Sequence, residues 1–246
     1  MFKLFRKVRL KLLSEFRVRK YILYAFGEIA LVVIGILIAL QINNWSQENK
    51  ERQVELDLLV EIRNNLSEDL VEIEANIDFQ NEILPCQNAF IDWLDGKRNY
   101  SDSVSYFDNS LSYHITRSIL SSRFLANQGT YETLKQVGVR IIQNDSLRIQ
   151  ITHLNEVAFP KYYIELEDYK KASRQCFPLF EDHLEELNWF EPLQILNIDD
   201  LRSDRSIRYK IKTLHNSGEL LPGRHAPFVK RNIEKVLRLL EEVIEE

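Results

Sequence analysis

YILYAFGEIALVVIGILIALQI, residues Tyr21–Ile42, is apolar almost throughout and contains no Lys, Arg or Pro. At about 1.5 Å per residue a helix of this length reaches about 33 Å, enough to cross a hydrocarbon core of about 30 Å. Lipid offers no hydrogen-bond partner to a backbone, so a single crossing of this kind must be helical. A buried core helix is the competing reading, but such helices rarely stay apolar on every face for this length. The stretch therefore reads as one transmembrane helix.

The flanks give it a direction. Residues 1–20, MFKLFRKVRLKLLSEFRVRK, hold eight Lys or Arg against the single acid Glu15. Beyond Ile42 the chain reads NNWSQENK, with no positive charge until Lys50. Cations beside a span stay in the cytoplasm, which places the N-terminus inside and residues 43–246 outside. Trp45 on one side and Tyr21 and Tyr24 on the other suit the two interfacial belts. A cleaved signal peptide would have a core of about 7–15 residues and a small-residue cleavage site, whereas this run is longer and ends in QINNW. Phe2, Phe5, Val8, Leu12 and Phe16 recur at helical spacing among the cations, so residues 1–20 also read as a basic amphipathic segment suited to an anionic leaflet.

Charge narrows the function classes. The chain carries −5, the first twenty residues carry +7 and Glu28 carries −1, which leaves about −11 on residues 43–246. An acidic body with few Lys/Arg clusters argues against nucleic-acid binding. About two hundred residues suffice for one core, and only seven Gly and six Pro favour long helices over turn-rich strands.

Along that body, residues 46–84 predict a long stalk helix. Leu59, Leu66 and Ile73 mark one heptad position; Leu56, Leu70, Ile77 and Leu84 mark another, broken by Arg63. Pro85 is expected to end or kink it. Phe90–Leu94 predicts a short helix closed by Asp95-Gly96, and Val104–Leu120 another. Thr130 is expected to cap the helix that follows, with Gly138 at its end and Asn144 capping the next. That helix should pass through a kink at Pro160. Cys176 opens a further segment, Ile207–Leu214 predicts a helix ending near Gly218, and LPGRHAP predicts a loop. Phe228, Val229, Ile233, Val236, Leu237, Leu240 and Val243 predict an amphipathic last helix. The fold expected is all-α: one transmembrane helix continuing into a helical-bundle extracytoplasmic domain.

Glu28 is the sharpest polar feature. A charge near the middle of a span costs about 2.5–3.5 kcal/mol, so Glu28 must be protonated, paired or turned from lipid. Gly27, Gly35 and Ala39 fall near one helix face, and small residues let helices approach closely. With the stalk heptads, the pattern points to a membrane-anchored interaction or scaffold protein that self-associates as a homo-oligomer through its transmembrane and stalk helices, or to a sensor or channel-like subunit that uses Glu28 within the span. Cys86 and Cys176 lie on the translocated side, where thiols can oxidise, and can pair or remain two buried thiols. His114, His153, His183, His215 and His225 show no metal-ligand spacing, and no nucleophile elbow, P-loop or dinucleotide motif is present. Neither enzyme activity nor a cofactor is expected. The partners expected are the bilayer, further copies and other envelope proteins.

Two stretches resemble an uncharacterised family of bacterial single-span envelope proteins. Residues 21–45, YILYAFGEIALVVIGILIALQINNW, resemble its N-terminal signature: a tyrosine, GEI, an apolar run with GI-x-IAL, then NNW. Residues 129–151, GTYETLKQVGVRIIQNDSLRIQI, resemble a second motif, a Thr-Tyr-Glu helix with a Gly stop and an Asn-Asp-x-Leu-Arg helix start. The resemblance implies a bacterial inner membrane and a periplasmic domain, and no established activity. The two cysteines lie outside the pattern.

Overall fold

The computed structural model describes residues 18–100 and 110–245. The amphipathic reading of the N-terminal segment up to residue 17, and the first part of the helix expected from Val104, lie outside them. The chain divides into two compact units, residues 1–55 and 56–246. Helix dominates both, and no strand occurs among the described residues.

Helix α1 runs from Val18 to Leu94. In the first unit every side chain from Phe26 to Lys50 is exposed. This part holds a window of mean hydropathy 2.5, long and apolar enough to cross a membrane. Leaving so many aliphatic side chains in water would cost on the order of tens of kcal/mol.

In the second unit α1 is the spine of the domain, and a heptad stripe faces inward. Leu59, Ile62, Leu66, Ile73, Ile83, Phe90 and Leu94 are buried at steps of three and four. Asp69, Asn76, Gln80 and Gln87 fill the intervening positions of the same stripe and are equally buried. Leu59, Leu66 and Ile73 stand where expected. The second heptad position does not: Leu56, Leu70, Ile77 and Leu84 are only half-buried flanks. Two of the true positions carry Asp69 and Asn76, which hid the row from an apolar-pattern reading. The stalk expected to end at residue 84 also continues. Pro85 sits inside the helix. It costs little because Pro85 and Asn81, whose carbonyl loses its helical donor, both face solvent. Gly96, at φ +76°, then breaks the chain away.

The other helices pack around this spine: α2 (Leu111–Ser118), α3 (Gly129–Val137), α4 (Asp145–His153), α5 (Phe159–Arg174), α6 (Ile198–Ser203), α7 (Arg205–Gly218) and α8 (Ala226–Glu245). One core takes residues from all of them. Asn144 caps α4 as expected, its side chain accepting from Leu147 N at 2.9 Å. Gly138 ends α3 at φ +109°. Thr130 does not cap α3; Gln128 holds that position without a side-chain bond. The hydroxyl of Thr130 instead accepts from Asn65 Nδ2 at 2.8 Å. Pro160 is accommodated by a π-helical turn, Leu154–Ala158, whose wider winding relieves the clash of the ring with the preceding turn. LPGRHAP is likewise no loop: Leu221–His225 forms a π-helical turn that runs into α8. The segment from Cys176 forms a 3₁₀ turn, Phe177–Phe180, and then a short hairpin joined by the Leu184–Ile195 bridge.

Gly218 shows how closely α7 meets the spine. A Cβ there would sit 2.9 Å from Gln80 Nε2 and 3.0 Å from Tyr169 Cε2. Gly218→Ala is expected to cost about 1–3 kcal/mol of domain stability by overpacking. With its neighbour shortened, in the double variant Gly218→Ala/Gln80→Ala, the added methyl should cost less than it does beside Gln80, so the two effects should not add; strict additivity of the two unfolding free energies would refute the clash.

Candidate functional site

Two polar features stand out on α1, one in each unit. In the first unit, helical winding of about 100° per residue places Glu28 within about 20° of both Gly35 and Ala39. The three form one strip along the helix, and Gly27 lies about 80° off Gly35 on its flank. Nothing lies within 4 Å of a Cβ built at Gly27 or Gly35. All four residues are exposed. The strip combines a close-approach surface with one group able to hydrogen-bond across it.

In the second unit three of the four buried polar side chains of the stripe, Asp69, Asn76 and Gln87, bond the chain between α2 and α3 and its junction with α2. Between α2 and α3 the chain, residues 119–128, lies antiparallel along α1 without helical structure of its own. Alternate residues of this strap, Ser122, Phe124 and Ala126, are buried, and the backbone groups that turn inward with them need partners. Gln87 Nε2 donates to Ser118 O at 2.8 Å and to the Tyr169 hydroxyl at 3.0 Å. Asn76 Nδ2 donates to Arg123 O at 2.8 Å. Asp69 Oδ1 accepts from Asn127 N at 3.0 Å and from Asn127 Nδ2 at 2.9 Å. Helix α5 holds the strap's other edge: Ser173 Oγ donates to Ile119 O at 2.5 Å, and the Tyr163 hydroxyl accepts from Ala126 N at 2.6 Å. Asp69, Asn76 and Gln87 therefore form a ladder that seats the strap and its junction with α2. Burial pushes the Asp69 carboxyl up to about 6, against the Asn127 hydrogen bonds, and Glu72 and Glu68 add to the rise. Its Oδ2 has no partner among the described residues.

The spine's C-terminus is closed by cations from the far end of the sequence. Arg208 Nη2 donates to Leu94 O at 2.7 Å, and Arg202 Nε donates to Trp93 O at 3.0 Å. These satisfy terminal carbonyls and oppose the helix dipole. Lys212 Nζ lies 2.9 Å from both carboxylate oxygens of Asp95, and this contact holds Asp95 below the usual carboxylate range. The shallow hollow beside it, about 300 Å³, mixes Asp95 and Asp199 with Arg202 and Arg208. Those charges already answer one another, so the hollow presents no one-signed field for a ligand.

Cys86 and Cys176 are both free and buried, so no bridge joins them in this structure. Each thiol donates to the carbonyl one turn back, Glu82 O at 3.5 Å and Ala172 O at 3.4 Å. Burial raises both, Cys176 to about 11, which leaves each a protonated and unreactive thiol. Among the described residues no group of three His, Cys, Asp or Glu is placed to hold a metal ion. His183 Nε2 lies 2.9 Å from Asp204 Oδ2. Asp204 is also the N-cap of α7, accepting from Ser206 N and Ile207 N. Burial raises this carboxyl, but the bonds from His183 and the two amides outweigh it and hold it low.

Residues 28–177 match a family of unknown function, DUF6090, over about six tenths of the chain, and the chain belongs to that family. The match takes in most of the apolar stretch, the ladder, the strap and helices α2 to α5; the hairpin and α6 to α8 lie beyond it. No curated protein and no solved structure matches the chain.

Proposed function

We propose that this DUF6090 member is a single-span protein of a bacterial inner membrane, with a cytoplasmic N-terminus and a periplasmic helical domain, and that it acts as an anchored interaction scaffold whose copies associate through the span. The observation that carries the reading is the strip of Glu28, Gly35 and Ala39 on a helix segment whose side chains are exposed. Small residues supply the close approach, and Glu28 supplies a bond worth about 1 kcal/mol across it. The heptad face of α1 from Leu59 to Leu94 is occupied by the domain itself. Association therefore falls to the span and not to the stalk. The basic N-terminal segment and the acidic body support the orientation.

Crosslinking and native mass measurement in mild detergent test the reading. Gly35→Leu and Glu28→Leu should each weaken association by about tenfold. Strictly monomeric wild-type protein, with both variants indistinguishable from it, would remove the proposal. Ion flux into liposomes that disappears in Glu28→Gln would assign a channel-like or sensor subunit in its place.

A further inference from the structure

The hairpin that follows the 3₁₀ turn packs Trp189 against Phe177 but leaves the neighbouring Phe190 exposed. Its stem is paired by Glu185 N donating to Gln194 O at 3.1 Å and Leu196 N donating to His183 O at 2.9 Å. The root is fixed to α2 by Leu193 N, which donates to Ser112 Oγ at 3.0 Å, and to α7 by the His183–Asp204 contact. At the tip, Phe190 is 81 % exposed, more than any other large apolar side chain of the chain's described residues. Leu196 and Ile198 are exposed beside the stem. A flexible tip would bury a phenyl ring against its own stem. Here the side-chain oxygen of Asn188 accepts from Phe190 N and Glu191 N and ties the backbone of the tip, and the ring stays exposed.

Charge decides what could cover this surface. From Gln175 to Leu201 the chain has seven acids and no Lys or Arg. Glu185, Glu186 and Glu191 on the hairpin itself are all exposed. An anionic lipid surface would be repelled by them, and even a neutral headgroup region would have to desolvate them. A protein surface offering an apolar stripe edged with cations would instead gain from both components.

We propose that the hairpin tip, led by Phe190, is a docking knuckle for a partner helix that carries an apolar stripe flanked by Lys and Arg. The proposal is independent of how the span associates. Phe190 fills the apolar stripe, and the hairpin carboxylates meet the flanking cations.

The test uses the full chain in nanodiscs of zwitterionic lipid, with empty nanodiscs as the background. The probe is a dye-labelled amphipathic Leu/Lys peptide of about 18 residues, read by fluorescence anisotropy. Wild type should bind it at least about tenfold more tightly than Phe190→Ser, and raising salt from about 50 to about 300 mM should weaken binding further. The same peptide with Glu in place of Lys should not bind above background. Equal binding by wild type and Phe190→Ser overturns the proposal, as does equal binding of the Glu peptide. An environment-sensitive dye on Phe190→Cys that reports a lipid environment before any peptide is added would assign the tip to the bilayer, and so also overturn it. Phe190 is a surface residue, so a folding defect does not complicate the comparison.

Discussion

Phe90→Ala is expected to cost the domain about 3–5 kcal/mol. Phe90 is completely buried on the inward stripe of α1. Its ring stacks on Trp93 with centroids 6.0 Å apart and meets Phe180 of the 3₁₀ turn at 6.3 Å. Truncation leaves a void bounded by the spine on one side and by the root of the hairpin region on the other. Neither can collapse into it, because the spine is held at Leu94 by Arg208 and the turn is braced by Cys176 and Phe180 in the core. With about 2–4 °C of melting temperature per kcal/mol for a domain of this size, the midpoint should fall by about 6–20 °C. Val71→Ala, on the same helix but largely exposed, should change stability by less than about 0.5 kcal/mol. Thermal melts followed by circular dichroism compare the two. A midpoint for Phe90→Ala within about 2 °C of wild type would mean that α1 past Pro85 is not part of the core.

The second large effect is in pH. Asp69 is buried, its carboxyl is pushed up to about 6 from an ordinary 3.8, and burial is the main cause. The folded state therefore binds this proton more tightly than the unfolded chain. Between about pH 4 and 6 the folded form keeps a proton that the unfolded form has lost, so stability falls as pH rises through that window. At about 1.4 kcal/mol per pKa unit, the domain should be about 2–3 kcal/mol more stable near pH 4 than near pH 7 on account of Asp69 alone. Asp95 and Asp204, held low by their partners, act in the opposite direction. The difference between wild type and Asp69→Asn isolates the one group: an amide oxygen can still accept from Asn127, but it carries no charge at any pH. Denaturant titrations of both proteins at pH 4, 5, 6 and 7 give the comparison. If the wild-type free energy minus that of Asp69→Asn does not fall as pH rises, the carboxylate is not buried at the strap.

The ladder explains why part of the domain was legible and part was not. The caps at Asn144 and Gly138 rest on local chemistry, a side-chain oxygen near an amide and a residue free to take positive φ, the amphipathic last helix rests on short-range periodicity, and they stand where expected, as does the end of α7 at Gly218. The second row of the spine's heptad does not announce itself. Asp69 and Asn76 look like surface residues until the strap whose backbone they satisfy is in place, and that strap comes from about fifty residues further along the chain. A continued count of three and four from Leu59, Leu66 and Ile73 leads to them, but only by ignoring their polarity. Two of the prolines, Pro85 and Pro222, misled for a related reason, whereas Pro160 was expected within a helical path and lies in one. Pro85, Pro160 and the Pro222 of LPGRHAP all fall inside helical paths, because a solvent-facing carbonyl or a π turn relieves the local conflict and packing outweighs the remainder.

Composition and short-range pattern alone determined that the chain is helical and that one stretch near its start is too apolar for water. Both follow from side-chain solvation and helix geometry, which act residue by residue. Tertiary structure decided that the polar interruptions of the spine hold a strap, that the two cysteines stay apart as buried thiols, and that Phe190 is left facing out on an acidic hairpin. Each of these depends on which distant backbone groups come together, and that is set by the energy of the whole packed domain.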